Sequence, residues 1–173
     1  MNISKRLELS RKKHSKISLR IAFGNLWCFL GLGFGTGLSP QAPGTLGTLA
    51  AFPLYWLLAG TSPLMYISIT TGLFLIGIHV CSVTEKKIGI QDHSGIVWDE
   101  IVGLLVTMTF ISPSWETLTV GFLCFRVFDV LKPWPIGWFD RKVHGGFGIM
   151  LDDLIAGIMA CATSHLFLAL TSL

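Results

Sequence analysis

Charged residues are scarce in this chain, and their scarcity excludes most soluble folds. Only 13% of the 173 residues are Asp, Glu, Lys or Arg, against about 25% in an average soluble domain. No charged residue occurs between positions 21 and 84, 51% of the residues are apolar, and the mean hydropathy is +0.65. Too few charges are present to cover a water-facing surface, to keep a chain disordered or to bind nucleic acid. The composition therefore favours a polytopic membrane protein.

Paired cysteines are also missing. The four cysteines lie far apart in apolar stretches, and none forms a C-x-x-C pair; they are Cys28, Cys81, Cys124 and Cys161. This spacing predicts small buried hydrophobic residues rather than disulfides or zinc ligands.

Basic residues are concentrated at the N-terminus. Residues 1–20 hold seven of the 13 basic residues and one acid, whereas residues 21–173 hold six bases and nine acids. Because basic segments next to membrane spans stay in the cytoplasm, we predict that 1–20 is a basic cytoplasmic tail and 21–173 a membrane-embedded domain. A signal peptide and a disordered tail are the alternatives.

Apolar runs separated by turn residues predict an all-α, polytopic membrane bundle with about four to five spans. The turns expected at 60–63 and 112–116 carry residues typical of helix N-termini. The expected spans are 45–59, 64–83, 101–111 lengthened by 96–100, 117–131 and 154–173. Upstream, a short helix near 21–30 is expected to lead into a glycine-rich re-entrant or interfacial segment.

The remaining bases predict the orientation of the bundle. With the N-terminus in the cytoplasm, the links 85–98 and 132–150 also face the cytoplasm, and they contain most of the remaining bases. The turn at 112–116 contains no base and is expected outside.

A cluster of acids is expected at the cytoplasmic face, because these acids lie at the ends of three predicted spans. Its members are Asp99, Glu100, Asp129, Asp152 and Asp153. Such a cluster repels itself unless a cation lies within it, and oxygen ligands favour Mg²⁺ or Mn²⁺. We predict Glu100, Asp129 and Asp153 as metal ligands, and the whole cluster with His144 as catalytic. The alternative is that acids at helix N-termini merely suit the helix dipole.

Basic residues accompany the acids, and the two together suit phosphate-ester chemistry. Arg126, Lys132 and Arg141 are predicted to bind the substrate phosphate, with Asp140 beside them. For Arg126, the alternative is an intrahelical ion pair with Asp129, one turn away.

A glycine-rich segment offers exposed backbone N–H groups near a helix start. The predicted substrate contacts there are Gly37, Ser39, Pro43, Gly44 and Thr45. The alternative for these glycines is close helix packing. Trp134, in the polar and aromatic link, is expected to meet lipid at the membrane interface.

Four blocks of sequence form a pattern that is specific to one family. They are GTGLSP at 35–40 with PGT at 43–45, VWDE at 97–100, FRVFD at 125–129 with KPWPI at 132–136, and HGGFGIM at 144–150 with DD at 152–153 and AG at 156–157. In this order they resemble the phosphatidylglycerophosphatase A family. The resemblance implies a helical enzyme of the bacterial inner membrane that uses Mg²⁺. It also implies hydrolysis of the phosphomonoester of an anionic phospholipid, phosphatidylglycerophosphate, to give phosphatidylglycerol.

Signatures of other phosphatases are missing. The sequence has no K-x₆-RP, PSGH or D-x-D-G-T run and no C-x₅-R loop. We therefore expect attack by a metal-activated water, with an Asp nucleophile as the alternative. The remaining alternatives are an Mg²⁺-dependent lipid headgroup transferase and a divalent-cation transporter. The D-x₂-D-G-x₂-A-R run expected of such a transferase is absent from this sequence. No partner beyond the lipid and the membrane is predicted, and the oligomeric state is left open.

Overall fold

The computed structural model describes residues 17–171, and every regular element within that range is helical. The all-α prediction is confirmed for this part of the chain. Most of the predicted basic tail, 1–16, lies outside the described residues, as do the last two residues.

The described residues form α-helices and one 3₁₀ segment, which lies between α2 and α3 at Gly33–Leu38. The helices are α1 (Leu19–Phe23), α2 (Leu26–Gly31), α3 (Pro43–Leu58), α4 (Pro63–Ile88), α5 (Trp98–Thr107), α6 (Trp115–Leu131), α7 (Ile136–Lys142) and α8 (Gly145–Thr171).

Side-chain caps start two of these helices at the turns that the sequence predicts. Ser62 accepts a hydrogen bond from the backbone N–H of Met65 at 3.3 Å, and a proline occupies the first turn of α4. Ser114 accepts from the N–H of Thr117 at 3.1 Å and starts α6. These caps satisfy N–H groups that have no partner within the helix.

The N-terminal segment is more broken than predicted. Instead of one helix over 21–30, the chain forms α1 and α2, because the side chain of Asn25 accepts the N–H of Trp27 at 2.9 Å and caps a new helix. Helix α3 begins at Pro43, inside the stretch predicted as a glycine-rich loop.

The last helix begins earlier than predicted, at Gly145 rather than at 154. Gly146 lies so close to α4 that a Cβ there would contact the carbonyl of Ile78 and the side chain of Ser82. Small residues at the start of α8 thus allow close helix packing. Asp152 and Asp153 consequently lie two turns inside the helix, not at its opening.

Helix α8 is central, since it packs against α4, α5, α6 and α7. Helix α5 runs parallel to it: Gly103 lies beside the carbonyl of Asp153, and further along Thr107 donates a hydrogen bond to the carbonyl of Gly157 at 3.4 Å. This register places the first turn of α5 beside the part of α8 that carries the paired aspartates. Between the helices, Leu104, Leu105 and Phe125 are fully buried.

Two described helices, α4 and α8, are long and apolar enough to cross a membrane. They indicate a membrane-associated protein. The other helices are shorter, and the largest of them, α6, has 17 residues. The predicted four to five spans therefore exceed the number that helix length and composition identify, and the larger number stays a prediction.

Candidate active site

The predicted acids come from three helices. Asp99 and Glu100 lie in the first turn of α5, where the helix dipole favours negative charge. Asp129 lies in the last turn of α6, and Asp152 and Asp153 lie in the third turn of α8. The strongest repulsion on the Glu100 carboxylate comes from Asp153 and then from Asp129. The three predicted metal ligands are therefore electrostatic neighbours across three helices.

Arg126 joins two of these acids. Its Nη1 lies 2.5 Å from Oδ2 of Asp129 and 3.7 Å from Oε1 of Glu100. The same Nη1 contacts Oγ1 of Thr48 at 3.5 Å, so that α3, α5 and α6 meet at one guanidinium. The intrahelical pair with Asp129 is thus present, and Arg126 also bridges to two other helices.

Lys132 makes a second bridge. It follows the end of α6 in a left-handed conformation, with φ of 44°. Its Nζ donates to Oδ1 of Asp140 at 2.6 Å and to Oδ2 of Asp152 at 2.5 Å. Burial alone would lower the pKa of Lys132, but the two carboxylates raise it above its ordinary value. The ammonium group that we predicted to bind phosphate is therefore held between two acids.

Four carboxylate oxygens of the acid cluster are buried without a hydrogen-bond partner. They are Oδ1 of Asp99, Oε2 of Glu100, Oδ1 of Asp152 and Oδ2 of Asp153. Buried acceptors of this kind are rare, because leaving them unpaired costs free energy. Hard divalent cations take carboxylate oxygen ligands, so the donor set fits Mg²⁺.

The acid side chains are not yet arranged around an ion. Among residues 17–171, no three His, Cys, Asp or Glu side chains already surround a point where a metal ion would fit. Binding of Mg²⁺ would therefore require some carboxylates to rotate, including those now held by Arg126.

The glycine-rich segment reaches the cluster at one position, the start of α3. A Cβ on Gly44 would collide with Oε1 of Glu100 and approach Nη1 of Arg126 to 3.3 Å. Gly37 instead packs against the backbone of Gly95, where a Cβ would collide with the carbonyl. Close packing thus explains Gly37, whereas Gly44 contacts the predicted catalytic residues.

The other predicted contacts of this segment are local. Pro43 occupies the first turn of α3, and Thr45 is half-buried two residues later. Ser39 donates a hydrogen bond to the carbonyl of Gln41 at 2.8 Å.

A cavity of about 420 Å³ adjoins the Lys132 bridge. Its walls are the turn after α4 and the turn between α7 and α8, and its polar lining includes Asp92, Asp140, His144 and Asp152. His144 is exposed at this cavity. The structure therefore places His144 and Asp152 in the wall of the same cavity.

Two predicted residues lie at the surface of the segment that contains α7. Trp134 is 82% exposed, and Arg141 is also exposed, with its Nη1 near Gly137 of its own helix. The exposed indole of Trp134 agrees with contact to lipid. Arg141 makes no contact with the acid cluster.

Sequence reasoning missed two residues of the site. Thr48 contacts Arg126 and donates to the carbonyl of Gly44 at 2.9 Å. Thr48 lies four residues after Gly44, which is about one helical turn, and this spacing is a signal in the sequence that would have identified Thr48. Asp92 lines the cavity, but no local pattern distinguishes it from an ordinary turn residue.

Replacing Gly44 by Ala is expected to lower kcat about tenfold or more, because the new Cβ displaces the Glu100 carboxylate and a misplaced group is costly in catalysis. The control is Gly72→Ala in α4, where a Cβ meets nothing within 4 Å. Steady-state kinetics and thermal unfolding of both variants make the test. Equal kcat for Gly44→Ala and the unmodified protein would contradict the placement of Glu100 in the active site.

Comparisons with known proteins find matches to most of this chain. A sequence model of the family described as "PgpA: Phosphatidylglycerophosphatase A" matches residues 29–168. The chain is 44% identical over 142 residues to a protein of Escherichia coli named phosphatidylglycerophosphatase A, covering 82% of this chain and 83% of that protein. It is 45% identical over 133 residues to a protein of the same name from Haemophilus influenzae, covering 76% and 82% of the two chains.

A third relative has a different name. It is a putative phosphatidylinositol-3-phosphatase of Bacteroides thetaiotaomicron, 36% identical over 140 residues, with 75% of this chain and 85% of that protein covered. No solved structure matches the chain significantly. Every acid of the cluster, with Arg126 and Lys132, lies within the stretch that the family model matches.

Proposed function

The chain belongs to the phosphatidylglycerophosphatase A family, and from this we infer that it hydrolyses the phosphomonoester of phosphatidylglycerophosphate to give phosphatidylglycerol. It is a phosphoric monoester hydrolase of phospholipid metabolism. The observation that carries this conclusion is the match of the family over residues 29–168, which contains the whole acid cluster.

We propose that the hydrolysis depends on Mg²⁺ held by Glu100, Asp129 and Asp153. The support is the set of buried carboxylate oxygens without partners, two of which belong to Glu100 and Asp153. When bound, Mg²⁺ would neutralise charge on the phosphoryl oxygens and favour attack by water. Within residues 17–171, Arg126 and Lys132 are the bases whose ion pairs reach the cluster, and both are already paired with carboxylates.

The protein's own groups are assigned to binding and proton transfer. Arg126 orients Glu100 and Asp129, and if these carboxylates held the ion, the guanidinium would be available to bind a phosphoryl oxygen. We assign to Asp99, whose Oδ1 is buried without a partner, the role of accepting a proton from the attacking water. The leaving oxygen of the glycerol takes a proton from His144, which lies at the adjoining cavity.

We further propose a multi-pass protein of the bacterial inner membrane, with its active site on the cytoplasmic side. The exposed apolar side chains at the end of α6 support lipid contact at the depth of the acids: Val130, Leu131 and Trp134 are all largely exposed. The bases at the ends of α4 and α7, which include Lys87 and Lys142, support the cytoplasmic orientation.

Purified protein in detergent with phosphatidylglycerophosphate is expected to release inorganic phosphate and phosphatidylglycerol only when Mg²⁺ is present. A chelator should stop the reaction, and excess Mg²⁺ should restore it, because the acid cluster has too little positive charge of its own. Product lipid is followed by mass spectrometry and phosphate by colorimetry.

The outcomes separate two claims. Release that the chelator does not affect would contradict the Mg²⁺ proposal and leave the phosphatase assignment intact. Failure to release phosphate at any divalent-cation concentration would contradict the assigned activity itself.

Labelling of single cysteines is expected to report the cytoplasmic orientation. In a variant without native cysteines, Lys87→Cys and Lys142→Cys should react with a membrane-impermeant maleimide only after the membrane is permeabilised. Glu116→Cys, at the start of α6, should react in intact spheroplasts and serves as the control. Labelling of the two lysine positions without permeabilisation would contradict the proposed topology.

A further inference from the structure

Helix α3 contributes two small residues to the surroundings of Arg126. Gly44 and Thr48 lie one turn apart and therefore on the same face of α3. Gly44 leaves room beside the guanidinium, since a Cβ there would approach Nη1 of Arg126 to 3.3 Å. Thr48 is fully buried, and its Oγ1 lies 3.5 Å from the same Nη1. This face of α3 thus forms one side of the space that the guanidinium occupies.

The hydroxyl group of Thr48 has a fixed orientation. It donates a hydrogen bond to the carbonyl of Gly44 at 2.9 Å, four residues earlier, and this bond restricts the rotamer of the side chain. Because its one proton is used there, Oγ1 can only accept a hydrogen bond from Arg126. Thr48 is therefore an acceptor that is already oriented towards the guanidinium.

Thr48 differs in charge from the two acids at Nη1 of Arg126. Asp129 lies at 2.5 Å and Glu100 at 3.7 Å, and each carboxylate cancels part of the positive charge of the guanidinium. A hydroxyl oxygen positions the guanidinium without removing its charge. Asp129 and Glu100 are also proposed ligands of Mg²⁺, and a carboxylate that holds the ion interacts less with Arg126. The neutral oxygen of Thr48 attracts the ion less and stays with Arg126.

We propose that Thr48 is a positioning residue, which places the guanidinium of Arg126 for a phosphoryl oxygen of the substrate. The proposal rests on the phosphatase function inferred above, and it concerns the binding of phosphate rather than of metal. Thr48 has no exposed surface for the substrate to touch, whereas the side chain of Arg126 is 18% exposed. Thr48 therefore acts through Arg126.

Two substitutions of Thr48 separate this role from packing. Thr48→Val keeps the shape of the side chain and removes the oxygen, whereas Thr48→Ser keeps the oxygen and removes a buried methyl group. Thr48→Cys, in which a weakly accepting sulfur replaces the oxygen, repeats the test if Thr48→Val does not fold.

We expect Thr48→Val to raise KM for phosphatidylglycerophosphate about tenfold with saturating Mg²⁺, the usual effect of one hydrogen bond to a charged group, and to change kcat less. Thr48→Ser should keep the KM of the unmodified protein. It should nevertheless unfold at a lower temperature than Thr48→Val, because the lost methyl group leaves a small cavity.

Inorganic phosphate provides a measurement without turnover. With Mg²⁺ present, the rise in unfolding temperature should need about tenfold more phosphate in Thr48→Val than in the unmodified protein or in Thr48→Ser. The rise caused by Mg²⁺ alone should have the same midpoint in all three proteins, because Thr48 is not among the proposed ligands.

Thr84→Val is the matched control. Thr84 is also fully buried, and it also donates to the carbonyl four residues earlier, at 2.8 Å. Its hydroxyl contacts the carbonyl of Trp27 in α2 instead of Arg126. This variant should keep both the KM and the phosphate midpoint of the unmodified protein.

The outcomes separate the proposal from the function on which it rests. Equal KM and equal phosphate midpoints for Thr48→Val and Thr48→Ser would overturn the proposal, whether both variants keep the values of the unmodified protein or lose phosphate binding together. In the first case the hydroxyl does not act on phosphate, and in the second Thr48 serves packing alone. If the unmodified protein does not hydrolyse phosphatidylglycerophosphate with Mg²⁺ present, the phosphatase function itself fails.

Discussion

Replacing Asp129 by Asn is expected to lower kcat at least about a hundredfold, the usual contribution of one charged group that acts on the reacting atoms. The substitution keeps the shape of the side chain and removes its charge. Asp129 lies in the last turn of α6, near Glu100 and Asp153, and is one of the three proposed ligands of Mg²⁺. Loss of its charge should also raise the Mg²⁺ concentration needed for half-maximal activity, because a ligand with less charge binds the ion more weakly.

Glu116→Gln is the matched control for this variant. Glu116 is an exposed acid on the same helix, in its first turn, and about 20 Å from Asp129 at the helical rise of 1.5 Å per residue. Its substitution should leave kcat unchanged. If Asp129 serves only as the intrahelical partner of Arg126, Asp129→Asn will lower the unfolding temperature with kcat intact, and the metal-ligand role is then wrong.

Replacing Lys132 by Met is expected to reduce both stability and activity. The ammonium group of Lys132 joins Asp140 of α7 to Asp152 of α8 at the end of α6. Its removal leaves two partly buried carboxylates facing each other without a cation, and removal of one partner from such a pair costs about 3 kcal/mol. Lys132→Arg keeps the charge and should recover most of the stability.

The control for Lys132 is Lys142→Met, which removes an exposed base from the end of the neighbouring helix. It should change neither thermal unfolding nor kcat. Lys132→Met proteins that unfold at the normal temperature and show only a raised KM would contradict the bridging role. That result would instead return Lys132 to the role of a phosphate ligand, as the sequence predicted.

The sequence by itself determined the helical class and several helix starts. Ser62 and Ser114 are capping residues that act on N–H groups within three positions, so that their effect can be read locally. The long run without charge identified the apolar segments, and the family motifs identified the acids and bases of the site. These signals depend on neighbours along the chain, and the tertiary structure did not alter them.

The pairing of the site residues was decided only by the tertiary structure. Lys132 and Arg126 follow the pattern of phosphate ligands in the sequence, but the packing of α5, α6, α7 and α8 brings each of them between two carboxylates. The start of α8 at Gly145 was missed, because its glycines lower the helix propensity that a local pattern measures. Glycine at the start of α8 allows this helix to lie close to α4. That contact exists only once the helices have packed, so a local pattern does not reveal it.

The cavity beside Asp152 likewise has no sequence signature. Asp92 and Asp140 lie far apart in the chain and meet there because the turn after α4 packs beside α7 and the start of α8. Local propensity and hydropathy set which segments are helical, but the rotation and register of each helix set which side chains meet. The sequence therefore determined the composition of this site, and the packing of the helices around α8 determined which of its charges are paired and which acceptors are left for a ligand.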